Sequence, residues 1–230
     1  MKRVSILLFA LLAVFFATAQ EESSPIKVEG GQKTLELQFV PFGSSPININ
    51  GVRMRFFSSA TQAFRLNAFM GLNVDSEITQ QENTDLAVEL LRDRSTVFTV
   101  SIRPGFEQHI NATERLSPYF GVEFDATLQT SSFREEQQNG TDVNFVRTVN
   151  PNRSGFIRGG VNALFGLDYY IAKKFYLGTE FGVGFSYTGF LSRKVKSDLS
   201  GFEEPDPERQ GGSFDLGPNV MTEIRLGYAF

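Results

Sequence analysis

The sequence contains no cysteine and only one histidine, and both absences limit its chemistry. Without cysteine the fold can hold neither a disulfide nor a thiolate-bound metal, so its stability depends on packing and hydrogen bonding. With His109 alone, histidine-dependent acid–base catalysis has a single candidate side chain. We therefore expect no catalytic residue, no metal site and no cofactor.

Basic residues are not in excess either, since the net charge is -4. Nucleic-acid binding, which needs a basic face, is therefore not expected. Lys2 and Arg3 precede a short apolar run that leads to the small residues Ala17 and Ala19. This pattern predicts a secretory signal peptide at 1–19, with the mature chain beginning at Gln20.

No later stretch is apolar enough to predict a transmembrane helix, and the chain alternates apolar and polar residues instead. A period of two predicts β-strands, each with an apolar face and a polar face. There are eight such segments, at 35–39, 52–56, 64–74, 98–106, 120–128, 157–169, 175–187 and 220–230.

The connections between these strands alternate in length after the first. The short ones fall at 58–63, 108–116 and 171–174, and the long ones at 75–94, 131–154 and 189–212. Tight turns on one side and long loops on the other are typical of an up-and-down transmembrane β-barrel. We therefore expect an all-β, eight-stranded antiparallel barrel over 33–230, after a periplasmic segment at 20–32.

The charges on the polar faces indicate which face is inside. They include arginine but no lysine, and a confined interior favours the guanidinium, which pairs with two carboxylates and is weakly hydrated. We therefore expect the apolar faces to contact lipid and the charged residues to fill the lumen as a structural network. The network comprises Glu36, Arg53, Arg55, Arg65, Arg103, Glu123, Asp125, Arg158, Asp168, Glu180, Glu223 and Arg225.

Several stretches together carry a family resemblance: Ala19-Gln20 at the cleavage point, "RPGFEQHINATERLSPYFGVEF" at 103–124, and the closing "EIRLGYAF". The chain resembles small outer-membrane β-barrel proteins of the OmpX and OmpA-transmembrane-domain kind, especially those of Bacteroidetes-type bacteria. The resemblance implies the outer membrane of a Gram-negative bacterium, reached by export. It also implies that Leu226, Tyr228 and Phe230 present an assembly signal to the barrel-assembly machinery.

The expected function is non-enzymatic. A filled barrel would act through the long loops, in adhesion or binding, or as an accessory subunit of an envelope complex. A narrow passive pore is the alternative, and a lipid-modifying enzyme is a weaker one, because His109 is expected in a solvated periplasmic turn. The acidic stretch at 198–208 is interpreted as a solvated loop rather than a cation site.

Two local features stay open at this point. Pro104 cannot donate to a strand ladder, so Arg103-Pro104-Gly105 could form a bulge or a kink. The segment at 85–91 could extend a strand or form a helical turn.

Overall fold

The computed structural model describes residues 25–39, 49–82, 88–139 and 142–230, with the backbone alone at 39, 49–50, 80–82, 88–90, 139, 142 and 219–223. The predicted signal peptide at 1–19 lies outside these residues. Within the described ranges, no helix is long and apolar enough to cross a membrane.

The described chain is all-β, as predicted. The strands are β1 (Lys33–Phe39), β2 (Ile49–Ser59), β3 (Gln62–Glu82), β4 (Val88–His109), β5 (Leu116–Asn139), β6 (Asp142–Val149), β7 (Phe156–Ala172), β8 (Phe175–Phe190), β9 (Lys194–Ser197) and β10 (Gly212–Ala229). A single turn of 3-10 helix, Pro151–Arg153, separates β6 from β7.

Eight of these strands form a closed antiparallel ring. β1, β2, β3, β4, β5, β7, β8 and β10 pair in that order, and β10 then pairs with β1. The closing register runs from Thr34 opposite Ala229 to Phe39 opposite Ile224. Because the ring closes, every one of its strands has a hydrogen-bonded neighbour on each side, and none is an edge strand along its whole length.

The long connections are less loop-like than predicted. β3 and β4 stay paired as far as Glu82 and Val88, and β5 continues to Asn139 before returning as β6. β6 then pairs with β9, so a five-stranded sheet of β3, β4, β5, β6 and β9 projects from one end of the ring. The prediction of loops at 75–94 and 131–154 was therefore largely wrong, because these extensions are polar on both faces and show no apolar period.

The two features left open resolve as strand. Val88–Leu91 belongs to β4, while 85–87 lie outside the described residues. Pro104 makes no bulge: β4 pairs with β3 without interruption through Leu66 and Pro104. On the β5 side the pairing skips Arg103 and Pro104 and then resumes in the same register, with Gly105 opposite Glu123.

The polarity of the ring is the reverse of that in a water-soluble domain. Along β8 the side chains that face inward and are buried are Tyr176, Glu180, Ser186 and Thr188, while those that face outward and are exposed are Leu177, Phe181, Val183, Phe185 and Tyr187. Other outward positions repeat the pattern, with exposed Met70, Leu72, Ile102, Phe106 and Phe165. The burial of polar groups in the interior therefore depends on hydrogen bonds and ion pairs.

A small apolar cluster closes the interior at the end with the short turns. It consists of Val28, Phe57, Ala63, Tyr170, Tyr176 and Ala229, with Ile26 packed against it, and we call it the apolar floor. The N-terminal segment reaches it because the Gly31 amide donates to the Phe57 carbonyl (2.7 Å) and the Lys174 amide to the Ile26 carbonyl (2.9 Å). Residues 25–32 thus lie across this end of the ring.

Tyrosines near the short turns lie on both faces of the ring. Tyr119, Tyr170 and Tyr176 are buried inside, whereas Tyr169 is exposed on the outward face. Two inward tyrosines lie over glycines of the neighbouring strand: Tyr119 opposite Gly166, and Tyr176 opposite Gly227. A Cβ added at either glycine would lie within about 2.2 Å of the tyrosine ring.

Candidate functional site

Above the apolar floor, nine charged side chains fill the ring, each no more than 3% exposed as a residue. They are Glu36, Arg53, Arg55, Arg65, Glu107, Glu123, Asp168, Glu180 and Arg225, and we call them the central cluster. Each of the eight ring strands supplies one member of the cluster except β2, which supplies two, Arg53 and Arg55, from consecutive inward positions. Alternation along each strand is what directs these residues to one side.

Glu180 is the most heavily bonded member of the central cluster. Arg53 approaches both of its oxygens at 3.1 Å, and Arg65 approaches the same two at 2.7 and 3.0 Å. The hydroxyl of Tyr119 donates to Glu180 as well. Two bidentate guanidinium pairs on one carboxylate satisfy its acceptor sites and fix its orientation.

The other side of the cluster is held by Arg55 and Arg225. Arg55 forms ion pairs with Glu36 (2.8 Å), Glu107 (3.1 Å) and Asp168 (2.5 Å). Arg225 joins Glu36 to Asp168, at 3.0 Å from each. The Arg55 guanidinium also lies 4.9 Å from the centre of the Tyr119 ring, a distance at which a cation and an aromatic face attract.

The cluster holds five carboxylates around four arginines, an excess of one carboxylate. Each arginine contacts at least two carboxylates, and the hydroxyl of Tyr176 donates to Glu36 at 2.7 Å. Burying an ion pair costs several kcal/mol per ion, which the mutual attraction offsets only when the remaining hydrogen bonds are made. This arrangement suits a structural filling better than a reactive centre, because no member of it is left exposed.

Three of the predicted lumen residues lie elsewhere. Arg103, Asp125 and Arg158 form a second group toward the projecting end, where Arg158 pairs with Asp125 at 2.9 Å and Arg103 approaches it at 3.5 Å. The side chains of Arg103 and Arg158 are 27% and 32% exposed. Among the described residues, no ion pair joins this group to the central cluster, so the predicted network is two separate groups.

Glu223, the twelfth predicted member, cannot be placed in either group from its side chain. Its backbone lies on β10 opposite Glu180, and its side chain falls at a position where only the backbone is described. Leu226, Tyr228 and Phe230 share the outward parity of β10 with Ile224. The Phe230 amide donates to the Lys33 carbonyl at 2.9 Å, which extends the pairing with β1.

His109 is buried rather than solvated, which corrects the prediction of an exposed turn residue. It is 3% exposed, with Nδ1 3.0 Å from the Ser117 hydroxyl and Nε2 3.2 Å from a Glu107 oxygen. Its ring lies between those of Phe57 and Tyr119, at centroid distances of 5.2 and 5.0 Å. The turn begins two residues later than expected, because β4 extends to His109.

Sequence reasoning missed Glu107, although a signal for it was present. Arg103, Gly105, Glu107 and His109 keep the inward parity of β4 beyond Phe106, where the predicted strand ended. Extending the period of two by three residues would have found both Glu107 and His109. The inward tyrosines offered no such signal, because their amphipathic rings suit a filled interior and an interface equally well.

Lysine stays out of the interior in the described chain, although three lysines belong to strands. Lys33 begins β1, and Lys194 and Lys196 lie on β9, all of them exposed. In the acidic stretch between β9 and β10, Glu208 pairs with Arg193 at 3.4 Å. Within the described residues no group of acids or histidine is arranged to hold a metal ion.

No protein-family model matches the chain, and no curated protein matches it. The geometry of the interior and of the outer surface is therefore the basis for any functional assignment.

Replacing Glu180 with glutamine should strongly destabilise the fold. Arg53 and Arg65 would then face each other with no carboxylate between them, so the free energy of unfolding should fall by about 3–5 kcal/mol. Denaturant unfolding followed by circular dichroism measures this change. The matched control is Glu136→Gln on the projecting part of β5, whose ion pairs are partly exposed and should cost less than about 1 kcal/mol. Equal small losses in both variants would contradict a structural role.

Replacing His109 with leucine should also destabilise the protein, because Glu107 and Ser117 would each lose a buried partner. We expect a loss of about 1–3 kcal/mol in the free energy of unfolding, measured in the same way. Asn111→Ala, at an exposed position two residues further on, should change it by no more than about 0.5 kcal/mol. A His109→Leu variant as stable as the Asn111→Ala variant would show that the histidine contributes nothing as a buried partner.

Proposed function

We propose that the chain is a non-enzymatic outer-membrane β-barrel whose interior is sealed and whose projecting sheet acts in binding. The observation that carries this proposal is the reversed polarity of the ring, with nine charged residues buried inside and large apolar side chains exposed outside. In water such a surface would be unfavourable, whereas in a bilayer it is the expected outer face of a barrel. A closed ring also satisfies every backbone group that lipid could not.

The dimensions of the apolar surface support placement in a bilayer. The outward residues of β8 are apolar or aromatic from Phe175 to Tyr187, apart from Thr179. At roughly 3.3 Å per residue and a tilt of about 45°, this stretch spans a height of roughly 28 Å, near the ~25 Å apolar band of outer-membrane barrels. On β5 the outward residues are apolar up to Leu128 and polar from Thr130 through Ser132 to Arg134, so the apolar band would end between Leu128 and Thr130.

The projecting sheet is the part that would meet a partner. Beyond the apolar band, β3, β4 and β5 continue with β6 and β9 as a sheet that bears charge on both faces. Arg92, Arg134 and Glu136 share one face, and Asp93 and Glu135 share the other. Adhesion, binding of an envelope or extracellular component, or service as an accessory subunit would all use this end. Outer-membrane lipid and the barrel-assembly machinery are the remaining partners in this proposal, the latter through the outward residues of β10.

The alternatives fit the geometry less well. A passive pore needs a continuous wet path, which the central cluster and the apolar floor oppose. A lipid-modifying enzyme needs an accessible histidine at the projecting end, and His109 is buried near the short turns. His109 lies within hydrogen-bonding distance of both Glu107 and Ser117, which is the arrangement of a catalytic triad. Each of the three residues is at most 6% exposed, however, so none can contact a substrate.

Spin labelling tests the membrane placement, and the lack of cysteine makes each introduced cysteine a single reporter. In phospholipid vesicles, nitroxides at Phe181→Cys and Phe185→Cys should collide more with oxygen than with a water-soluble nickel chelate. A label at Glu203→Cys, in the exposed segment between β9 and β10, should show the reverse. Equal access of the nickel chelate to positions 181 and 203 would refute lipid contact on β8.

Single-channel recording tests the sealed interior. The purified protein in planar bilayers should give no stable conductance, because ion pairs fill the ring and the N-terminal segment covers one end. A stable conductance that persists across preparations would favour the passive pore instead. Insertion would be verified by protease protection of the membrane-embedded strands in vesicles of the same lipid.

A further inference from the structure

Between the central cluster and the projecting end, the ring encloses a cavity of about 230 Å³, which we call the upper cavity. Its lining comes from four adjacent strands: Asn67 and Phe69 of β3, Thr99, Ser101 and Arg103 of β4, Thr127 and Gln129 of β5, and Phe156 and Arg158 of β7. At about 30 Å³ per water molecule, this space holds roughly eight waters. It is therefore large enough for a small organic molecule.

Strand direction places the upper cavity on the projecting side of the ion pairs. β3 runs from Arg65 of the central cluster to Asn67 and Phe69, and β5 runs from Glu123 to Thr127 and Gln129. The opposite end is closed by residues of the central cluster and the apolar floor. Solvent that reaches the partly exposed Arg103 and Arg158 must therefore enter from the projecting end.

The upper cavity has one guanidinium in excess, whereas the central cluster has one carboxylate in excess. Arg103 and Arg158 share one carboxylate, Asp125, whereas every arginine of the central cluster contacts at least two. Asp125 is already engaged by Arg158 at 2.9 Å and by the Thr127 hydroxyl at 2.7 Å. The Arg103 Nε atom has no hydrogen-bond partner among the described residues, and its distance of 3.5 Å from Asp125 is long for an ion pair.

We propose that the upper cavity is a binding site for a small organic monoanion bearing one carboxylate. The net charge of +1 from two guanidiniums and one carboxylate matches a monoanion, whereas a phosphate dianion would reverse the imbalance. The planar fork of Arg103 suits a carboxylate, and hydroxyls of Thr99 and Ser101 lie on the same strand. Phe69 and Phe156 provide apolar walls for a short aliphatic body.

Butyrate is a suitable probe, because it has one carboxylate and a short apolar chain. We expect saturable, millimolar-range binding to the detergent-solubilised full chain, measured by saturation-transfer NMR titration. Arg103→Gln should weaken butyrate binding at least tenfold. The matched control Arg115→Gln, at an exposed position in the short turn before β5 and away from the cavity, should leave it unchanged. Inorganic phosphate and butylamine should not compete with butyrate.

Asp125→Asn provides a test with the opposite sign. Removing the one carboxylate raises the cavity charge to +2, so butyrate should bind at least threefold more tightly. A site that merely needs intact packing would lose affinity in both variants. The proposal is overturned if butyrate affinity is the same in the wild type and Arg103→Gln, if Asp125→Asn fails to tighten binding, or if phosphate competes as well as butyrate does.

Discussion

Nine charged side chains lie away from water inside the ring, and each would cost several kcal/mol to bury alone. Their mutual pairing therefore constrains everything around them. Glu180 on β8 needs Arg53 and Arg65 from β2 and β3, across the ring interior, so the cluster can form only when the ring has closed. The outward face is left with the apolar residues of the alternation, which is why the polarity of the whole molecule is reversed.

The interior changes character along the axis of the ring. At the short-turn end lie the apolar floor and the N-terminal segment, and above them each arginine of the central cluster contacts at least two carboxylates. In the upper cavity two arginines, Arg103 and Arg158, share the carboxylate of Asp125. The charge inside the ring thus changes from one excess carboxylate in the central cluster to one excess guanidinium in the upper cavity.

The sequence was a good guide to the ring and a poorer guide to its ends. Period two located all eight ring strands, and the absence of lysine from the polar faces indicated which side would be buried. Eleven of the twelve predicted charged residues have described side chains, and all of them face inward; but sequence alone could not separate the Arg103 group from the central cluster. That separation depends on the stagger between strands, which alternation does not encode.

The failures have local causes. The projecting parts of β3, β4 and β5 carry polar residues on both faces, so no apolar parity marked them as strands. His109 was placed in a turn because the predicted strand ended at Phe106. The sequence did not predict that residues 25–32 cover one end of the ring, because their contacts with Phe57 and Lys174 join positions far apart in the chain.

The tyrosine–glycine pairs have a consequence for strand alignment. A slip of one residue would turn apolar side chains inward and is excluded by polarity, but a slip of two preserves both faces. Such a slip would move Tyr119 from Gly166 to Leu164 or Asp168, and Tyr176 from Gly227 to Arg225 or Ala229. Each of those residues has a Cβ where the ring must lie. Gly166 and Gly227 therefore fix the register of neighbouring strands, because a slip of two residues would bring a side chain into contact with a tyrosine ring.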